Sequence, residues 1–180
     1  MLQIIVPSSE LFDQRTQTFE TVPEQTLQLE HSLISLSKWE SKWKKPFLSS
    51  EKNNDEMRDY IRCMTLTPHV QPTVYMGLTA DNIQTIRNYI DDPMTATTIN
   101  DRRRGGRPNK ETVTSELIYY WMIMRDIPWE CQKWHLNRLM TLIRICDIKD
   151  APQKKMSRRD ILAENAALNS ARRAKHHTRG

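Results

Sequence analysis

The sequence predicts a mainly α protein with a small N-terminal β element, an α+β fold with a helical hairpin at its core and a basic C-terminal helix. Three observations carry this. Apolar and aromatic residues recur every three or four positions through residues 113–147, at Leu117, Tyr120, Trp121 and Met124 and then at Leu136, Leu139, Met140 and Ile143. That is the period of a helix burying one face. Alternation of polar and apolar residues, the strand signal, is confined to the segment before residue 31. Glycine occurs only four times, twice in one adjacent pair, too rarely for a turn-dense all-β fold or for glycine-rich nucleotide loops.

At 180 residues one domain is expected, divided into an N-terminal β element (1–30), a helical region (31–150) and a basic C-terminal helix or tail (151–180). A hydrophobic fraction of 38% and a mean hydropathy of -0.69 point to a modest core with long polar connections. The start of the chain, MLQIIVPSSELFD, lacks the basic stretch and the apolar length of a signal peptide, and no run reaches the roughly 18 apolar residues of a membrane span. A cytosolic origin is the expectation. The three cysteines, Cys63, Cys131 and Cys146, are odd in number and widely spaced, which argues against a disulfide framework.

Along the chain, residues 2–6 read as a short strand stopped by Pro7, and 17–22 and 25–30 as two more on either side of Pro23-Glu24. His31 to Phe47 reads as a helix with Leu33, Leu36, Trp39, Trp43 and Phe47 on one face, stopped by Pro46. Residues 54–64 form a shorter amphipathic helix with acids in its first turn, where the helix dipole favours them. Thr79 is a candidate N-cap for a helix whose buried stripe is Ile83, Ile86 and Ile90. Residues 91–112 form the longest break, and a loop of that length is either mobile or functional. The hairpin 113–147 follows, broken at Asp126-Ile127-Pro128. After a linker at 147–156, residues 157–175 form the last helix, with Ser157 and Asp160 resembling a capping box and a thin apolar stripe of Ile161, Leu162 and Leu168. A helix so thinly apolar is expected to project or to need a partner.

No constellation points to catalysis, and the chain is expected not to be an enzyme and to carry no cofactor. Cys131 and His135, four apart on one expected helix, have the spacing of two metal ligands, but a structural zinc site needs a second close pair, and only Cys63 with His69 offers one. The alternative is a core-facing Cys131 and a His135 that hydrogen-bonds between helices. A Cys–His nucleophile–base pair would also lack any evident oxyanion hole.

Charge is unevenly placed. From Pro152 onward eight Lys and Arg face two acids, whereas the preceding residues carry 19 basic and 20 acidic side chains. Such asymmetry suggests a polyanion or an acidic protein surface as partner, with Arg158, Arg159, Arg172 and Arg173 as its contacts. A second basic group, Arg102, Arg103, Arg104 and Arg107, lies in the long loop. There Gly106-Arg107-Pro108 with upstream arginines resembles part of an AT-hook core, although Gly105 stands where that core has arginine. The plainer reading is a solvated basic loop. The tryptophans Trp39, Trp43, Trp121, Trp129 and Trp134 could stack on nucleic-acid bases, form a partner-binding surface or simply fill a core.

Several longer strings resemble a family of small proteins from the structural gene cluster of long-tailed bacteriophages, the tail assembly chaperone-like proteins. They are LEHSLISLSKWESKWKKPFLS (29–49), DYIRCMTL (59–66), DDPMTAT (91–97), TSELIYYWMI (114–123), ECQKWHLNRLMTLIRIC (130–146) and KKMSRRDILAENAALNSARR (154–173), and together they span nearly the whole chain. The resemblance implies a chaperone that binds the helical tape-measure protein during tail morphogenesis, in the host cytoplasm, with self-association and without catalytic residues. The five tryptophans would then serve partner binding and the basic tail would steer acidic stretches of the partner. Two alternatives stand beside it: a structural virion protein such as a connector or tail component, and a DNA-binding protein using the basic loop and tail.

Overall fold

The computed structural model describes residues 1–13, 17–99, 111–150 and 158–176. It is mainly α with a small N-terminal β element, as the periodicities predict. The chain divides into two compact units, Met1–Asp147 and Ile148–Gly180.

Four strands open the first unit: β1 (Leu2–Val6), β2 (Ser9–Asp13), β3 (Thr18–Val22) and β4 (Gln25–Leu29). β1 pairs antiparallel with β4 and β2 with β3, and both ladders keep one register, from Leu2 opposite Leu29 through Val6 opposite Gln25 to Ser9 opposite Val22 and Asp13 opposite Thr18. The four strands are therefore one long hairpin. Its pairing lapses where Pro7 and Pro23 fall, and neither proline has an N–H to give a ladder. β2 is the strand that the sequence did not announce. Its ribbon with β3 buries almost nothing, and Phe12 and Phe19 pack on each other at 5.1 Å while exposed. The β1–β4 arm follows the alternation rule, with Ile4, Val6, Leu27 and Leu29 turned into the core.

Helix α1 (Leu33–Trp43) is the organising element. Ser32 caps it reciprocally with Ser35: the Ser35 N–H donates to Ser32 Oγ at 3.3 Å and the Ser32 N–H to Ser35 Oγ at 2.9 Å. It ends four residues earlier than predicted. Pro46 disfavours a helical conformation in the residue before it, and Lys44 leaves the helix in the left-handed region with φ 55°. Phe47 then turns back into the core, its ring 3.9 Å from that of Tyr60 and edge-on to Trp39 at 5.1 Å. α2 (Asn54–Met64) begins on a capping box made by Asn53 and Glu56, and α3 (Ala80–Asp91) on one made by Thr79 and Asn82. A 3-10 segment, Pro72–Met76, lies between them.

Two consecutive helices occupy the span of the expected hairpin, with a longer break between them than the one at Asp126-Ile127-Pro128. α4 (Ser115–Met124) and α5 (Leu136–Asp150) are separated by a 3-10 segment, Trp129–Lys133, and α4 packs on α1. The start of α5 is tied to the start of α1 instead: the Leu136 N–H donates to the His31 carbonyl at 2.7 Å, and Ser32 and His135 form a β-bridge. α5 buries Leu136, Leu139 and Ile143, as predicted. α4 does not bury its expected stripe. Ser115, Ile118 and Met122 face inward, while Tyr120 and Met124 are exposed. With SELIYYWMIM apolar on nearly every side, no polar face fixes the helix's rotation, and only the surface of α1 does. α6 (Arg158–His176) forms the second unit's helix. Ser157 of the expected capping pair lies outside the described residues, as do the side chains of Asp160 and of Ile161.

Candidate functional site

The five tryptophans separate into different environments. Trp39 is fully buried, and its Nε1–H donates to the Glu56 carbonyl at 2.8 Å. Trp43 is half-buried beside it, with ring centroids 6.2 Å apart, and its Nε1–H donates to Asp59 Oδ2 at 2.8 Å. Trp121 is half-buried against the core. Trp134 is half-buried under the guanidinium of Arg138, 4.2 Å from the ring centroid. Trp129 alone among them is open, 54% exposed, with its ring 5.7 Å from that of Tyr119.

Trp129 borders a cleft of about 290 Å³ lined also by Met122, Ile123, Asp126 and Ile127. Tyr120, Ile123 and Met124, at helical spacing on the outer face of α4, extend this apolar surface, and all three are more than half exposed. Sequence reasoning had placed Tyr120 and Met124 in a buried stripe and had not singled out Ile123. The available signal was that α4 has more apolar residues than one buried face can use. Elsewhere along α4, the Tyr119 hydroxyl donates to Gln132 Oε1 at 3.0 Å and Arg125 forms an ion pair with Asp147.

A second hollow, of about 630 Å³, opens among Phe47, Leu48, Met57 and Ile90, and Lys52, Arg87, Glu51 and Asp91 also line it.

Where the sequence offered Cys131 and His135 as a pair on one helix, the structure separates them. Cys131 is a buried residue of the 3-10 segment, and burial pushes its thiol above the usual range. His135 precedes α5 and makes the interhelical bond of the alternative reading: its Nε2–H donates to the Tyr89 carbonyl at 2.9 Å, and its Nδ1 accepts the Asn137 N–H at 3.3 Å. A carbonyl can only accept and a backbone N–H can only donate, so these two hydrogen bonds commit both ring nitrogens. Cys63 is half-buried and His69 exposed. Among the described residues no three His, Cys, Asp or Glu side chains gather as a metal site. His135 lies 5.1 Å from the ring of a second buried histidine, His31, whose Nδ1 meets the Tyr60 hydroxyl at 2.5 Å. Burial and the neighbouring His135 lower His31 to about 3.

Of the basic residues, Arg102, Arg103, Arg104 and Arg107 lie outside the described residues. Arg158, Arg159, Arg172 and Arg173 are exposed on α6. Among the described residues no helix is long and apolar enough to cross a membrane.

Fold and surface together define a mainly α protein that displays an aromatic cleft on one unit and a basic helix on the other. Comparison with protein-family models, curated proteins and solved structures returned no match.

Proposed function

We propose that this chain is a non-enzymatic assembly factor of a long-tailed bacteriophage, a tail assembly chaperone-like protein that acts in the host cytoplasm and holds an amphipathic helix of the tape-measure protein. The observation that supports this is the exposed apolar surface of Tyr120, Ile123, Met124 and Trp129 around the 290 Å³ cleft. An amphipathic helix lays its apolar face into such a groove through anchors three and four residues apart. Trp129, an aromatic side chain already packed against Tyr119, loses little freedom on binding and is the natural anchor. Trp39 is not part of this surface, since it has no exposed area.

The test is co-expression with the phage's tape-measure protein, reading how much of that protein stays in the soluble fraction. Ile123→Ser with Trp129→Ala abolishes the effect while thermal unfolding of the chain is unchanged. Full retention of tape-measure solubility by that variant defeats the reading. Mass spectrometry of purified virions separates it from a structural virion component, which would be present in every particle.

A further inference from the structure

Helix α6 sorts its side chains by chemistry. Arg158 and Arg172 are fourteen residues apart, as are Arg159 and Arg173, which is close to four full turns, so each pair shares a side of the helix. Asn165 and Asn169 lie on that same side, between the arginine pairs along the axis. The six side chains occupy an arc of about 140°, with the arginine pairs about 21 Å apart. Glu164, the one acid among the described side chains of α6, falls on the other side with Lys175, Ala163, Ala167 and Ala174, so the basic charge outside the arc is offset there. All of these side chains are exposed, and no ion pair between described residues engages the four arginines.

We propose that α6 binds duplex DNA by lying in the major groove, with Arg158, Arg159, Arg172 and Arg173 on phosphates and Asn165 and Asn169 on base edges. The major groove of B-form DNA admits an α-helix, and a carboxamide there can pair with both N6 and N7 of adenine. Phosphate contacts at the two ends set the register, and contacts between them read sequence. An acidic protein is the weaker fit for this face. Leu162 is the only large apolar side chain on the arc, whereas the centres of protein interfaces are built on apolar and aromatic anchors. Nucleic-acid interfaces are polar and positively charged, as this arc is. The cleft at Trp129 takes no part, so this inference stands or falls independently of the tape-measure reading.

The experiment is fluorescence anisotropy of the full chain with a labelled duplex two helical turns long, in an A·T-containing and a G·C-only version, over a range of salt. The affinity falls with salt on a log–log slope of about -3.6, the value for four phosphates. Arg172→Ala with Arg173→Ala reduces that slope by about 2 and weakens binding at least about tenfold. Asn165→Ala with Asn169→Ala keeps the slope and removes the preference for the A·T duplex, a loss of about tenfold. The sites are exposed and alanine is a strong helix former, so circular dichroism should show the helix retained in both variants. Unchanged binding by the arginine variant overturns the proposal, as does an A·T preference that survives in the asparagine variant. Equal binding of duplex RNA, whose deep major groove excludes a helix, also overturns it. So does binding of polyglutamate with none of DNA, which would make an acidic protein the partner.

Discussion

Glu40 and Ser115, 75 positions apart, are joined by a 2.7 Å hydrogen bond from the Ser115 backbone N–H to Glu40 Oε2. The other carboxylate oxygen accepts the Phe47 N–H at 2.7 Å. One buried side chain of α1 thus supplies the first backbone N–H of α4 with an acceptor and ties down the turn that carries Phe47 into the core. A carboxylate there also complements the dipole at the start of α4.

Replacing Glu40 therefore disturbs two elements at once. Glu40→Ala leaves two buried N–H groups without their charged acceptor and costs about 3 kcal/mol. Glu40→Gln keeps one acceptor oxygen and costs about half as much. Urea unfolding of the two variants checks this, and equal losses would show that the negative charge, which both variants remove, alone matters at this position.

The tryptophans divide by burial. Trp39→Ala opens a cavity in the first unit and strips the Glu56 carbonyl of its donor, a loss of about 3–5 kcal/mol. Trp129→Ala removes an exposed side chain and costs under about 1 kcal/mol. Thermal unfolding followed by circular dichroism separates the two, and a large loss for Trp129→Ala would place that ring in the core.

His31 makes stability depend on pH. Its folded value near 3 lies below the ordinary 6.5, so the unfolded chain takes up the proton more readily. The contribution is whole above about 6.5 and is lost as pH falls toward 3. Between pH 7.5 and pH 5 the loss is about 2 kcal/mol. Tyr60, Phe47 and His135 surround the ring and none carries a negative charge at these pH values that would shelter a proton. In His31→Gln the change in unfolding free energy between these pH values should shrink by that amount, and an undiminished dependence would assign it to other groups.

Asp59 draws α1 and α2 together. Its carboxylate accepts from Lys42 Nζ and Arg62 Nε at 2.8 Å each and from Trp43 Nε1 at 2.8 Å. Burial raises its pKa, but these three donors outweigh it and hold Asp59 below the usual carboxylate range. Its contribution is present above the ordinary carboxylate pKa and is lost as pH falls through the lowered one. Asp59→Asn costs about 1–2 kcal/mol at pH 7, and the gap to the parent chain narrows in acid. Urea unfolding of the variant and the parent chain at pH 7 and in acid checks it, and a gap that widens in acid would contradict the assignment.

Much of the architecture was legible in the sequence. α2 has the bounds that its amphipathic pattern marked, α3 starts on its expected cap Thr79, and α5 buries Leu136, Leu139 and Ile143 of the stripe that its period marked. These segments carry a polar face opposite an apolar one, so the pattern has a phase. α4 has no such contrast, and the residues that form the exposed surface beside Trp129 could not be told from those that form the core. β2 was silent because a ribbon with almost no buried face leaves no alternation to read.

By itself the sequence determined the mainly α class, the Thr79 cap of α3, the sites where prolines interrupt pairing and the separation of basic and neutral parts of the chain, because each depends on neighbours within a few positions. Tertiary structure decided which tryptophan is core and which is surface, how α4 is rotated, and that His135 meets Tyr89 rather than Cys131. It also decided that β1 pairs with β4 and that Glu40 serves Ser115. Those choices depend on which faces of distant segments meet, and local periodicity carries no record of that.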